Sequence, residues 1–444
     1  MTDLLIKNAT IVTLGEKNSI IPAHSLLIKN GLISKILPSN KVEKNIKVKN
    51  TIDAKGKILL PGFINVHTHF YSAFARGMPG IAPSKNFQEI LNNLWWRLDK
   101  RLTPEDIYNS TLVTLMECIR HGTTTVIDHH ASPMSIEGSL DTIASAVSLS
   151  GLRACLCYEV SDRDGEEIAL QGIQENARFA KKLKRNPDQK LAGLMGLHAS
   201  FTLSDETLEL AADKANDAGV GFHIHCAEDA CDQDITRKKY GTSVVERLYN
   251  KGILGPNTIC AHGVHLGDEE INILRETRTI LAHNPQSNMN NAVGIMNLVK
   301  MIKMNVLVGL GTDAMTSNML EELRSAIWAQ KLVQHNPGSG FSEAVSTLTK
   351  NNAIAASRFW GREFGVIKEG TPADVILIDY DPPTPMNSEN FAGHLVFGLS
   401  QTPVDTTIAS GNILMRKKEI VCMDEEKICA RSRELAEIIW KRMN

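Results

Sequence analysis

Leu59-Leu60-Pro61-Gly62-Phe63-Ile64-Asn65-Val66-His67-Thr68-His69 decides how this chain is read. The apolar run 58–66 predicts a buried strand, and it delivers His67 and His69 at its C-terminal end. Side chains two residues apart share one face of a strand, so both imidazoles can aim at a single point. Neutral imidazole is the commonest protein ligand for metals of the zinc type. A His-x-His pair alone decides little, and its weight depends on what recurs downstream.

Between about residues 60 and 360, apolar strand-like runs alternate with amphipathic helical stretches. The runs are 122–128, 153–158, 191–197, 220–225, 258–262, 279–283 and 306–311, which with 58–66 make eight. Helix candidates lie at 104–120, 205–218, 242–251, 268–276, 291–304 and 319–334. Continuous apolar strands alternating with helices argue for parallel strands covered by helices. Eight such units over ~300 residues match a (β/α)₈ barrel. A doubly wound open sheet is the alternative, and no glycine-rich phosphate fingerprint follows any of the strands to support it.

Outside this region the pattern is β. Short strands are expected at 4–6, 10–13, 25–28 and 32–36, with Asn30-Gly31 as a hairpin turn. Strands return at 373–378 and 408–415. The simplest topology pairs both chain ends, 1–58 and 361–424, into one composite β-sandwich beside a barrel of 59–360. Residues 425–444 then finish the chain as a charged amphipathic helix.

The composition narrows the function classes. The 444 residues are 43% hydrophobic and carry a formal net charge of -2, so no basic field is available for nucleic acid or an acidic membrane. No apolar stretch is long enough to span a bilayer, and Met1-Thr2-Asp3-Leu4 does not open a secretory signal. The expectation is a cytoplasmic protein acting on a small molecule. In that setting the eight cysteines, which include no Cys-x-x-Cys, are expected to be reduced.

Polar groups recur at the C-terminal ends of the predicted strands: His67 and His69, His198, His225 followed by Glu228, His262, His283 and Asp313. In a barrel that end carries the active site. Three imidazoles (His67, His69, His225) and the Asp313 carboxylate suit a catalytic Zn²⁺, with Fe²⁺ as the alternative. Glu228, three residues beyond His225, can reach water or substrate without being a ligand and can carry a proton to a leaving nitrogen. His262 can orient the same water.

These residues carry a resemblance. The segments 61–69, His225-Cys226-Ala227-Glu228, 261–266, His283-Asn284-Pro285-Gln286-Ser287-Asn288, Leu310-Gly311-Thr312-Asp313 and Gly370-Thr371-Pro372-Ala373-Asp374 resemble the amidohydrolase superfamily, in its branch of chlorohydrolases and purine-type deaminases. The segments 95–99 and 127–133 further resemble the SsnA-type aminohydrolases associated with selenium metabolism. The resemblance covers the whole chain. It implies a distorted TIM barrel with a composite β-sandwich, and one divalent metal on His67, His69, His225 and Asp313. It also implies Glu228 as proton shuttle, His262 as the group steering a metal-activated hydroxide, and His198 as a substrate-binding histidine. The implied reaction is removal of ammonia from a planar heterocycle. Hydrolysis of a cyclic amide or a carbon–halogen bond is the runner-up, and a scaffold that kept the fold is the non-enzyme alternative. A dimer or tetramer is expected.

Two departures from the resemblance matter. The bridging lysine of binuclear members has no counterpart at the ends of the middle strands, which favours one metal. After Gly151-Leu152-Arg153-Ala154, Tyr158 stands where adenosylhomocysteine deaminases place an arginine, which argues against that substrate. Trp95, Asp99, Tyr158 and Glu159 are the remaining candidates for contact with substrate, Trp95-Trp96 by stacking on a planar ring and Glu159 by reading a ring N–H. Arg76 and Arg101 belong to the same loop as the tryptophans. His129 and His130 follow the second strand and are placed at the pocket, at a second metal, or in capping or packing.

Overall fold

The computed structural model describes residues 2–15, 17–43 and 46–443. The chain begins with β1 (Thr2–Val12), β2 (Ile20–Lys29), β3 (Leu32–Pro38) and β4 (Val48–Asp53). Strands β2 and β3 form the expected hairpin. Asn30 and Gly31 both take positive φ, 52° and 75°, as its two-residue turn requires.

The decisive stretch is not one strand. It forms β5 (Ile58–Pro61) and β6 (Phe63–Thr68), broken at Gly62. β5 pairs with β1 in the sheet built from the chain ends, whereas β6 enters the barrel. A Cβ at residue 62 would lie 2.3 Å from the Thr124 side chain, so only glycine lets the chain cross between the two sheets here.

The barrel strands are β6, β7 (Thr123–Asp128), β8 (Arg153–Leu156), β9 (Leu191–Gly193), β10 (Met195–Ala199), β11 (Phe222–Cys226), β12 (Ile259–His262), β13 (Ile280–His283) and β14 (Leu307–Leu310). All pairings among them are parallel. β9 and β10 are one strand of the sequence pattern, interrupted at Leu194. The two parallel sheets, β6 to β9 and β10 to β14, meet at both edges through the bridges Val160↔Leu197 and Thr68↔Asp313. The expected (β/α)₈ barrel is present. Its strands are buried along nearly their whole length, as parallel strands covered by helices must be.

The chain returns to β structure with β15 (Val375–Ile378), β16 (Val404–Ala409), β17 (Asn412–Arg416) and β18 (Glu419–Ile420). β15 pairs antiparallel with β5, which joins both ends of the chain in one sheet ordered β18-β17-β16-β15-β5-β1-β2-β3. Arg153, at the start of β8, is buried against Asp374 and Ser410 and lies 4.5 Å over the Phe364 ring, which fastens this sheet to the barrel. The terminal helix Glu425–Met443 lies along the helix Pro104–Arg120, and Trp440 Nε1 donates to the Phe74 carbonyl at 2.9 Å. Among the described residues no helix is long and apolar enough to cross a membrane.

Candidate active site

Each candidate ligand stands at the end of a barrel strand. His67 lies on β6 and His69 just past it, His225 lies on β11, and Asp313 follows β14. The backbone there is tight: a Cβ on Gly311 would lie 2.7 Å from His67 Cβ. Ala227, His262 and Asp313 all take left-handed φ values, 47°, 75° and 52°. Such strain in non-glycine residues collects where function requires a particular side-chain direction.

The hydrogen bonds settle which nitrogens face inward. His69 Nδ1 donates to the His129 carbonyl at 2.5 Å, and His225 Nδ1 donates to the His198 carbonyl at 3.0 Å. A carbonyl only accepts, so in the neutral rings both Nε2 atoms keep their lone pairs. Those atoms lie 3.3 Å apart, and His69 Nε2 is 3.1 Å from Asp313 Oδ1. His67 pairs through Nδ1 with His223 Nε2 at 2.9 Å, and its Nε2 is buried with no hydrogen-bond partner, 3.7 Å from Asp313 Oδ1. The Cys157 thiol donates to the Asp128 carbonyl and lies 3.9 Å from His223 Nδ1, so a relay of donors runs from His67 outward. Partners of this kind fix the tautomer and direction of a ligating histidine.

Lone pairs and a carboxylate crowded together repel unless a positive charge lies among them. Burial alone would lower the His69 pKa, but the hydrogen bond to Asp313 and the nearby charges of Asp313, Glu159 and Asp128 lift it to about 9. Burial would raise Asp313, yet His69, His262 and His225 hold it far below the usual carboxylate range. A proton on His69 meets this demand in part. A divalent cation would meet it for all four donors, and three nitrogens with one oxygen is a donor set of the zinc type.

Opposite the ligands are Glu228 and His262. Asn288 Nδ2 donates to His262 Nδ1 at 2.9 Å, which leaves the His262 proton on Nε2. That atom faces Glu228 Oε2 at 3.4 Å and Asp313 Oδ2 at 3.8 Å. Burial lowers the His262 pKa to about 4, so the ring acts as a neutral donor. Burial, with the Asp313 charge beside it, pushes the Glu228 carboxyl well above its usual range. Asn291 Nδ2 donates to Glu228 Oε1 at 3.3 Å, and Ser287 Oγ donates to Asp313 Oδ2 at 2.5 Å.

His69, His225, Asp313, Glu228, Ser287 and Asn291 line a cleft. Phe87, Leu91, Trp95 and Trp96 cover it from one segment, which includes a π-helical turn over Leu91–Trp95. His198 lines the cleft with its ring 5.9 Å from Trp96, and Glu159 lines it beside His198. Burial would raise Glu159, but His198 and the contact with His129 hold it well below the usual range.

Two residues expected to contact substrate stand away from the cleft lining. Asp99 does not line the cleft. It is buried in an ion pair with Arg163, whose guanidinium lies 5.2 Å over the Trp96 ring, so Asp99 acts on the cover from behind. Tyr158 does not line it either. Side chains alternate along the extended stretch after β8, and Tyr158 points outward onto the helix Glu166–Arg185, so close to Gly172 that a Cβ there would meet its ring at 2.9 Å. Glu159 therefore points inward. His130, on Ser132, and His283, buried with both ring nitrogens unpartnered, do not line the cleft. Arg76 is paired with Glu117 at its edge.

Sequence reasoning passed over His223 as anything but a strand residue, although His223-Ile224-His225 repeats the spacing of His67-Thr68-His69. It also left Ser287, Asn288 and Asn291 without roles, though two of them lie inside a quoted motif. Phe87, Leu91 and Tyr71 carried no signal beyond being apolar.

A model of the amidohydrolase family matches residues 58–414. The chain is 32% identical over 441 residues to a 5-methylthioadenosine/S-adenosylhomocysteine deaminase of Pelotomaculum thermopropionicum, covering 98% of each chain. It is 32% identical over 448 residues to a 5'-deoxyadenosine deaminase of Methanosarcina mazei, covering 100% of each. Among solved structures, an adenosine deaminase from Xanthomonas campestris with bound zinc superposes with a TM-score of 0.87 at 22% identity, over 99% of this chain and 98% of that one.

Proposed function

The chain belongs to the amidohydrolase family, and from that premise we propose that it is a metal-dependent aminohydrolase that releases ammonia from a planar, adenine-type heterocycle. The observation that carries this reading is the cluster of His67, His69 and His225 ring nitrogens, with Asp313 Oδ1 3.1 Å from His69 Nε2 and 3.7 Å from His67 Nε2 and with Glu228 and His262 facing them. Deaminases among the relatives support the choice of a ring amine as leaving group.

We assign the metal to His67, His69, His225 and Asp313, one per chain, with zinc favoured by the donor set. When bound, it supplies Lewis acidity that lowers the pKa of water at the site. Glu228 takes the proton from the attacking water and returns it to the departing nitrogen, so that one carboxyl serves both halves of the reaction. A carboxyl raised by burial is suited to hold that proton between the two transfers. His262, fixed by Asn288, holds the water through Nε2–H. Trp95, Trp96, Phe87 and Leu91 cover the ring and exclude bulk water. The same reading divides the chain into a composite β unit (1–58 and 361–424), a catalytic barrel (59–360) and a C-terminal helix (425–444).

Metal analysis of the purified protein, followed by an ammonia-release screen over purines, purine nucleosides, pterins and pyrimidines, tests the proposal. It expects about one divalent metal per chain and ammonia from at least one aminated ring. A metal-loaded protein that releases ammonia from none of these classes would refute it.

A further inference from the structure

We propose that Glu159, backed by His129, is the specificity-determining carboxylate of this site: it accepts a hydrogen bond from a substrate N–H or O–H other than the departing amine, and it restricts the substrate to uncharged or cationic rings. This deepens the deaminase reading and rests on it.

The placement of Glu159 is rigid. The bridges His130↔Tyr158 and Val160↔Leu197 hold the backbone on both sides of it. Its own N–H donates to the His130 carbonyl at 2.7 Å, and the Val160 N–H donates to the Gly196 carbonyl at 3.2 Å. With Tyr158 and Val160 turned into the core, the Glu159 side chain is directed into the cleft. A carboxylate on so fixed a backbone is pre-positioned for recognition.

Its two oxygens face different groups. Oε2 lies 3.1 Å from His129 Nδ1. His129 is itself fixed, because its Nε2 donates to the His223 carbonyl at 3.1 Å. Oε1 has no hydrogen bond with any described residue and lies 4.0 Å from His198 Nε2, facing the cleft. An acceptor that no protein donor meets, on a side chain lining the cleft, is free to take a donor from a ligand.

The sign of the cleft supports the second half of the proposal. Glu159, held well below the usual carboxylate range by His198 and the contact with His129, lines it, and among the described lining residues there is no lysine or arginine. A phosphate or carboxylate placed against Glu159 would meet like charge, with no lysine or arginine beside it to offset that charge.

A second metal is the competing use of the pair, since His69, His129 and Glu159 could together hold an ion. His69 cannot serve both. Its Nδ1 is spent on the His129 carbonyl and its Nε2 faces Asp313 and His225. That leaves two protein ligands, fewer than a zinc site normally uses.

The test is calorimetric titration of the zinc-loaded wild type, Glu159→Gln and Glu159→Leu with guanine, adenosine and adenosine 5′-monophosphate, with zinc content and ammonia release measured alongside. Wild type is expected to bind guanine or adenosine, and to bind the monophosphate about a hundredfold more weakly than adenosine. Glu159→Leu should lose about ten- to a hundredfold in affinity for the preferred probe. Glu159→Gln, which keeps the shape and one acceptor, should fall between and narrow the gap between adenosine and its monophosphate. Loss of packing alone would not move that ratio. Equal binding of the two adenosine probes by wild type would overturn the inference, as would wild-type binding in both variants, no binding of any probe by wild type, or loss of a second equivalent of zinc with Glu159. Binding without ammonia release would leave the recognition role standing and remove the deaminase reading instead.

Discussion

On one side of the cleft, His67, His69, His225 and Asp313 stand on barrel strands or within three residues of their ends. On the other side, Phe87, Leu91, Trp95 and Trp96 come from one helical segment that crosses the strand ends and is held by contacts made behind it. The ligand wall takes its precision from the strands, whose register leaves each side chain one direction. The covering wall takes its shape from an ion pair, a cation–π contact and packing. The first wall fits a task that cannot tolerate displacement, and the second fits a task that differs with each substrate.

The largest effects should come from the groups facing the ligands. Glu228→Gln keeps size and much of the hydrogen bonding but cannot cycle a proton. Its kcat should fall by ~10⁴-fold, the top of the range for acid–base groups, while metal content stays near wild type. Asp313→Ala should lose metal as well as rate. If Glu228→Gln also lost the metal, the division between ligand and proton carrier would be wrong.

A smaller effect is expected one step outward. His223→Ala removes the partner of His67 Nδ1 and should weaken metal affinity by about 10–100-fold, measured by competition with a chelator. An unchanged affinity would show that β6 alone orients His67.

The covering wall should respond differently. Asp99→Ala removes the buried partner of Arg163. A fully uncompensated buried charge costs about 3–5 kcal/mol, and the loss here should fall at or below that range because Asp164 remains 3.2 Å from Arg163 Nε. The Michaelis constant should rise more than kcat falls, and zinc content should not change. A pure kcat effect would place Asp99 in the chemistry after all.

The smallest effect separates the two states of the ligand wall. Without metal, His69 is raised in the folded protein from 6.5 to about 9 by Asp313. A raised folded pKa stabilises fully below the unfolded value and loses its contribution as pH climbs through the folded one. The melting temperature of metal-free protein should therefore decline between about pH 6.5 and 9, and metal-loaded protein should not share that decline. Parallel profiles would mean that the metal does not take over the role of the His69 proton.

The same contrast explains what could be read in advance. The barrel is legible because eight apolar runs alternate with helical ones, and the cluster of candidate ligands because its histidines end those runs. Asp99 and Tyr158 were misplaced for a physical reason: nearness in sequence to an aromatic pair or a strand end does not say which way a side chain turns. One residue of alternation separates Tyr158 in the core from Glu159 in the cleft. His223 shows the opposite failure. Its spacing is visible in the sequence, but only the fold reveals that it pairs with the candidate ligand His67 as well as neighbouring His225. Ser287, Asn288 and Asn291 lie on or beside a short helix after β13, and nothing in their order along the chain says which of them meets Asp313, His262 or Glu228.

The break at Gly62 has a consequence for how such a chain could be recombined. Five residues lie between Pro61, paired with Val375 in the outer sheet, and His67 in the barrel. The two parts are joined through Gly62 alone, with no loop between β5 and β6. Exchanging the outer sheet for that of another protein would shift the anchor of the first histidine pair, so inheritance of the sheet and of the chemistry is tied together at the level of one peptide segment.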